Sequence, residues 1–132
     1  MKLDGPLVST DWLAQNLADP RLRLFDATIF LKHKPEGGYI PDSGRAQWQV
    51  EHIPGAGFLD VYQELSDTTR EVSFMMPAPR DFAATMAAHG VSDDSAVVLY
   101  NQGFPMWATR VWWMLRSIGF DNVAVLDGGY EK

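Results

Sequence analysis

Ala96-Val97-Val98-Leu99-Tyr100, closed by Asn101, is an apolar run of strand length with no polar residue alternating through it. A strand with one wet face alternates, whereas a strand covered on both faces reads as continuous apolar sequence. The run is therefore read as the central strand of a mostly parallel sheet. On its C-terminal side a six-residue link, Asn101 to Met106, leads into Trp107 to Ile118, where Val111, Met114, Leu115 and Ile118 share one helical face. Gly119 ends that helix, and Val123-Ala124-Val125-Leu126 follows as a last strand stopped by Asp127-Gly128-Gly129.

On its N-terminal side, Asp81 to His89 carries Phe82 and Met86 at helical spacing and meets Gly90, a C-cap signal. Gly57 to Asp60 reads as a very short strand, and Gly44 to Glu51 as a helical turn or two before the turn at Pro54-Gly55. Leu31 to Ser43, with Lys32, Lys34, Pro35, Gly37, Gly38 and Pro41, has the composition of a loop. Leu22 to Ala27 alternates into a strand carrying Asp26 near its end. Ser9-Thr10-Asp11 offers capping oxygens to a short helix with Trp12, Leu13 and Leu17 on one face, after a brief strand at Leu7-Val8. Strands alternating with helices need crossover connections. The expected fold is thus α/β, with a mostly parallel sheet of about five strands covered by helices on both faces.

The 132 residues suit one domain, and 46% hydrophobic with 21% charged is ordinary globular usage. A net charge of −6 with scattered Lys and Arg lacks the basic face that nucleic acid requires. No stretch approaches the ~20 apolar residues of a membrane span, and the first residues lack a secretory signal. The expectations are a cytoplasmic protein, no nucleic-acid or membrane partner, and no cofactor. The sequence contains no cysteine, which excludes a cysteine nucleophile, thiolate metal ligands and disulfides within it. His33, His52 and His89 have no metal-ligand spacing, so no metal site is expected.

Ligands of open α/β sheets gather beyond the carboxyl ends of the strands. Those ends carry Asp26, Asp60, Asn101 and Asp127. The link Asn101-Gln102-Gly103 to Met106 joins a strand to a helix, a geometry that suits an anion, although an ordinary strand-to-helix turn has the same sequence appearance. Arg110, one turn into the helix, is placed to hold a carboxylate in bidentate fashion, and Arg116 to lie at the surface. Asp60 is either its partner or a cap for the next segment. His52 is expected to hydrogen-bond to backbone and order its turn, and Trp107, Trp112 and Trp113 to supply core or interface area.

Several segments together resemble the rhodanese superfamily: Leu24-Phe25-Asp26-Ala27, Glu51-His52-Ile53-Pro54-Gly55-Ala56, Val97-Val98-Leu99-Tyr100 and Val125-Leu126-Asp127-Gly128-Gly129, in order and at family spacing. Asp26, His52, Pro54, Gly55, Asp127, Gly128 and Gly129 are its structural motif residues. Phe58-Leu59-Asp60, Leu65-Ser66-Asp67, Phe74-Met75-Met76-Pro77 and above all Arg110-Val111-Trp112-Trp113-Met114-Leu115-Arg116 are similar to the first domain of tandem sulfurtransferases acting on thiosulfate or 3-mercaptopyruvate.

The resemblance implies that Asn101 stands where catalytic rhodanese domains place the cysteine that carries a persulfide, so no catalytic residue is expected in this chain. It implies a second rhodanese domain of the same polypeptide as partner, supplying that cysteine, and a small anionic sulfur donor. Asp60, Asn101, Gln102, Gly103 and Arg110 would then contact the cleft or the other domain. Phe74 stands where the mercaptopyruvate branch commonly has histidine, and Trp107 and Thr109 depart from the family's small residue and proline. Residues 1–132 are accordingly expected to be a single rhodanese-like domain, the non-catalytic N-terminal half of a longer protein, cut near its C-terminal helix. A cysteine-free rhodanese-like binding or regulatory module is the other class considered. An anion-binding enzyme akin to the related phosphatases is the weakest, because its nucleophile is also a cysteine.

Overall fold

The computed structural model describes residues 3, 5–33, 39–53, 55–60, 79–92, 94–101 and 106–126, giving the backbone alone for 30–33 and 39–43. In chain order the elements are β1 (Leu7–Val8), α1 (Thr10–Asn16), β2 (Leu22–Asp26), β3 (Ile29–His33), β4 (Tyr39–Ser43), α2 (Arg45–Val50), β5 (Gly57–Phe58), α3 (Pro79–Ala88), β6 (Ala96–Tyr100), α4 (Met106–Ser117) and β7 (Val123–Leu126).

Five strands form one sheet in the order β1-β7-β6-β2-β5, and every pairing in it is parallel. The apolar run that fixed the architecture is β6, third of the five, and all its residues are buried. Because strand side chains alternate, the sheet sorts its residues into two cores. Phe25, Val97, Leu99, Val123 and Val125 face α3 and α4, meeting Phe82, Met86, Val111, Met114 and Leu115. Leu22, Leu24, Val98, Tyr100, Ala124 and Leu126 face the other way, with Leu13 of α1. Helices thus cover both faces, as the continuous apolar run requires.

The helix signals act where they were read. Ser9 caps α1, its Oγ accepting the Trp12 N–H at 3.0 Å. Both long helices stop at a glycine in left-handed backbone, Gly90 (φ 91°) after α3 and Gly119 (φ 90°) after α4. In each case two bonds close the end: Val91 N–H to Met86 C=O and Gly90 N–H to Ala87 C=O, then Phe120 N–H to Leu115 C=O and Gly119 N–H to Arg116 C=O. This is the Schellman arrangement, and it needs a residue without a Cβ penalty at that position.

One expectation is overturned. Residues 31–43 are not a loop: β3 and β4 form an antiparallel pair, a separate two-stranded sheet in register from Ile29↔Ser43 to His33↔Tyr39. The glycines and Pro35 sit between the two strands in sequence, where a hairpin needs turn residues, while the flanks are rich in Ile, Phe, Leu and Tyr. Pro41 suggested a loop, but a ladder of two strands has only edges, and edges tolerate proline. A smaller correction concerns β5, which ends at Phe58 rather than Asp60.

Candidate functional site

Register brings the carboxyl ends of three adjacent strands side by side. Asp26 pairs with Tyr100 across β2–β6 and with Phe58 across β2–β5. Beyond the paired residues the ladder continues for one bond on each side, Ala27 N–H to Tyr100 C=O and Leu59 N–H to Asp26 C=O, both 2.9 Å. Asp26, Asp60 and Asn101 are consequently gathered at one end of the sheet, and all three are buried. Gln102, Gly103, Pro54, Asp127, Gly128 and Gly129 lie outside the described residues.

Asn101 does what no local motif announces. Its side-chain Oδ1 accepts the backbone N–H of Ala108 at 3.0 Å, in a buried setting. Ala108 is the third residue of α4, so this bond satisfies one of the orphan donors at the helix start. The residue after the central strand therefore acts as a cap reached from seven positions away. The expected cradle of free helix amides at this position is partly filled by the protein's own amide.

Asp26 is a buried carboxyl with unequal oxygens. Oδ1 accepts the Thr28 N–H (2.9 Å) and the Thr28 hydroxyl (2.6 Å), while Oδ2 is buried without a hydrogen-bond partner among the described residues. Burial raises its pKa; the Thr28 bonds, His52 and the Tyr100 hydroxyl oppose that shift without cancelling it. The native state therefore holds this proton more readily than the unfolded chain does. Stability from the group is fully present below the unfolded pKa and is lost as pH rises through the folded one. We expect Asp26→Asn to gain on the parent between about pH 4 and about pH 7. Urea midpoints of both proteins at the two pH values test this, and a pH-independent difference would contradict it.

The turn from Glu51 to Gly57 is anchored from beneath and from the side. Tyr100 Oη accepts the Ile53 N–H (3.2 Å), Ala56 N–H bonds Ile53 C=O (2.9 Å), and Gly55 takes left-handed backbone with φ 83°. Trp48 of α2 donates its indole N–H to Ala56 C=O at 3.0 Å. His52 stacks on that indole (4.8 Å between centroids), with Nδ1 2.6 Å from the Trp48 carbonyl. A carbonyl can only accept, so Nδ1 carries the hydrogen and the ring is held to backbone.

Arg110 stands on the outer part of α4, with Nε buried and unpartnered among the described residues. Nε thus makes no part of the bidentate pair considered with Asp60. Partial burial lowers the guanidinium pKa from its ordinary value. Met106, Arg110, Trp113 and Ser117 recur at helical spacing along that outer face. Met106 and Trp113 expose 51% and 54% of their surface, whereas Trp107 is buried. The three tryptophans thus divide between core and surface, Trp112 packing at the core's edge under the Arg116 guanidinium, 5.2 Å from its ring centre. Among the described residues no cluster suited to a metal ion occurs.

Comparison with known proteins places this geometry in context. The family profile of the rhodanese-like domain matches residues 9–132. The chain is 38% identical over 127 residues to thiosulfate/3-mercaptopyruvate sulfurtransferase 2 of Arabidopsis thaliana, covering 96% of this chain and 35% of that protein. It is 36% identical over 122 residues to the 3-mercaptopyruvate sulfurtransferase of Escherichia coli K12, covering 92% of this chain and 41% of the relative. The crystal structure of SseA from Escherichia coli, presented as a 3-mercaptopyruvate sulfotransferase with the rhodanese fold, superposes with a TM-score of 0.81 at 34% identity, over 96% of this chain and 46% of that one. The chain thus spans about two-fifths of the length of the curated relatives it matches.

Proposed function

The chain belongs to the rhodanese-like domain family, and from that premise we propose that it is the non-catalytic N-terminal half of a tandem sulfurtransferase. In this reading it forms one wall of a cleft whose other wall, a second rhodanese domain of the same polypeptide, carries the reactive cysteine. The second domain's thiolate attacks the outer sulfur of thiosulfate, breaking the S–S bond and releasing sulfite, or the thiol sulfur of 3-mercaptopyruvate, breaking the C–S bond and releasing the pyruvate enolate, which takes up a proton; the resulting persulfide passes its outer sulfur to cyanide or a thiol.

The observation that carries the proposal is the residue directly after β6, Asn101. Its side chain is a buried amide engaged with α4, in a sequence without any thiol. Neither an amide nor any other group here can become a persulfide. One turn into α4, Arg110 is a cation with an unmet donor, suited to a small anionic donor or to a carboxylate of the neighbouring domain.

The exposed Met106 and Trp113, two turns apart on the same side of α4, support a contact face, since large apolar groups left at a surface are candidates for interaction. They equally support the second reading, a rhodanese-like module used purely for binding. Activity separates the two. We expect the 132-residue chain to give no turnover with thiosulfate and cyanide or with 3-mercaptopyruvate, and the longer polypeptide containing it to be active and to lose activity when its own cysteine is replaced. Turnover by the chain alone, or a longer polypeptide without a thiol, would end the sulfurtransferase reading.

A further inference from the structure

We propose that the end of the sheet opposite Asp26 and Asn101 carries a second site, a cavity that binds a small zwitterion of the α-amino-acid class. Every strand of the sheet runs the same way, so residues that precede β1 and β7 lie at the far end from those that follow β2 and β6. The cavity lies at that far end, shares no residue with the cleft reading above and does not depend on it.

The cavity measures about 340 Å³ and is lined by Leu3, Gly5, Pro6, Trp112, Arg116 and Asp121. Its walls are laced together. Leu3 N–H donates to Asn122 Oδ1 and Val125 N–H to Pro6 C=O, both at 2.8 Å, which fastens the segment before β1 to the start of β7. The Arg116 guanidinium rests on the Trp112 ring, 5.2 Å from its centre, so stacking on α4 holds the cation at the cavity. Arg116 and Asp121 carry opposite charges, yet among the described residues they form no ion pair with each other. The cavity thus keeps a cation and an anion apart.

The class of ligand follows from that separation. A simple anion drawn to Arg116 would be opposed by Asp121, and a simple cation drawn to Asp121 would be opposed by Arg116. A molecule with a carboxylate and an ammonium on one carbon answers both: the carboxylate takes guanidinium N–H groups, and the ammonium donates to the Asp121 carboxylate. Leu3, Pro6 and the Trp112 ring offer apolar surface for a short aliphatic side chain. The volume sits at the low end of the ~300–1,000 Å³ usual for small-molecule sites, which suits a molecule of that size. In the empty protein the two exposed charges are solvated, so keeping them apart costs the fold little.

L-Valine is the probe, titrated into the chain and followed at the Trp112 indole N–H resonance, a group buried without a hydrogen-bond partner among the described residues. The Trp113 indole, on the exposed side of α4, is the control and should not move. L-Valine is expected to shift the Trp112 signal saturably, while isovalerate, which lacks the ammonium, and isobutylamine, which lacks the carboxylate, bind at least about tenfold more weakly. Arg116→Gln and Asp121→Asn are each expected to weaken L-valine about tenfold or more with the melting temperature kept, since both side chains are exposed. Asp121→Asn should also bind isovalerate more tightly than the parent does, because the opposing charge is gone.

Isovalerate that matches L-valine on the parent overturns the proposal in favour of a plain anion site. A Trp112 signal that L-valine leaves unmoved, or moves only together with that of Trp113, overturns it outright, as does L-valine binding that either variant leaves unchanged. None of these results bears on the cleft reading, which rests on other residues.

Discussion

Leu99→Ala is expected to remove about 2–5 kcal/mol of folding stability, against a total of about 5–15 kcal/mol for a domain of this kind. Leu99 is fully buried in the central strand, paired with Phe25 on one side and Val125 on the other, on the face that meets α3 and α4. Truncation loses the transfer free energy of the removed methyl groups and leaves a cavity that strands fixed on both sides cannot close. The matched control is Leu7→Ala, because Leu7 is 59% exposed on an edge strand and its loss should cost about 0.5 kcal/mol or less. Urea titrations give both values. A Leu99 variant whose midpoint moves no further than the Leu7 variant's would show that the strand is not the centre of the fold.

Arg110→Met is expected to act in opposite directions on folding and on function. The guanidinium is partly desolvated, and its buried Nε meets no acceptor among the described residues. A methionine matches the arginine stem from Cβ to Nε, keeps its aliphatic packing and removes the buried donor, so the melting temperature should hold or rise. In the tandem enzyme proposed above, the same change should raise KM for the anionic donor about ten- to a hundredfold. That range follows from losing a charged hydrogen bond of about 1.5–3 kcal/mol, at about 1.4 kcal/mol per tenfold. Steady-state kinetics with thiosulfate and 3-mercaptopyruvate, beside thermal unfolding, test the pair of signs. An unchanged KM would remove Arg110 from the donor's surroundings, and a large fall in melting temperature would reassign it to the fold.

The parts of the molecule that were legible in sequence are those set by short-range rules. The apolar run of β6, the glycines that end α3 and α4 and the cap at Ser9 each depend on a handful of neighbouring residues. The β3–β4 pair is hidden by the average composition of 31–43, because the breakers cluster between the two strands in sequence and the strand-formers flank them. Position 101 was singled out as the residue after the central strand, but its bond to Ala108 joins residues on two elements and becomes visible only when α4 is in place. The Asp26, Thr28 and Tyr100 arrangement likewise depends on register between strands, which no periodicity encodes. The helical repeat of α4 did hold a signal that was passed over: Trp107 and Trp113 point to different sides at 100° per residue, which already separates a core tryptophan from a surface one.

The pairing of β1 with β7 sets a schedule for assembly. Leu7 and Val125 are ladder partners from opposite ends of the described chain, and two further bonds, Val125 N–H to Pro6 C=O and Leu3 N–H to Asn122 Oδ1, seal the same seam. During synthesis β1 must wait, unpaired, until the residues of β7 have left the ribosome. Closing so long a loop costs entropy that only an otherwise completed core can offset, so this margin zips last and opens first.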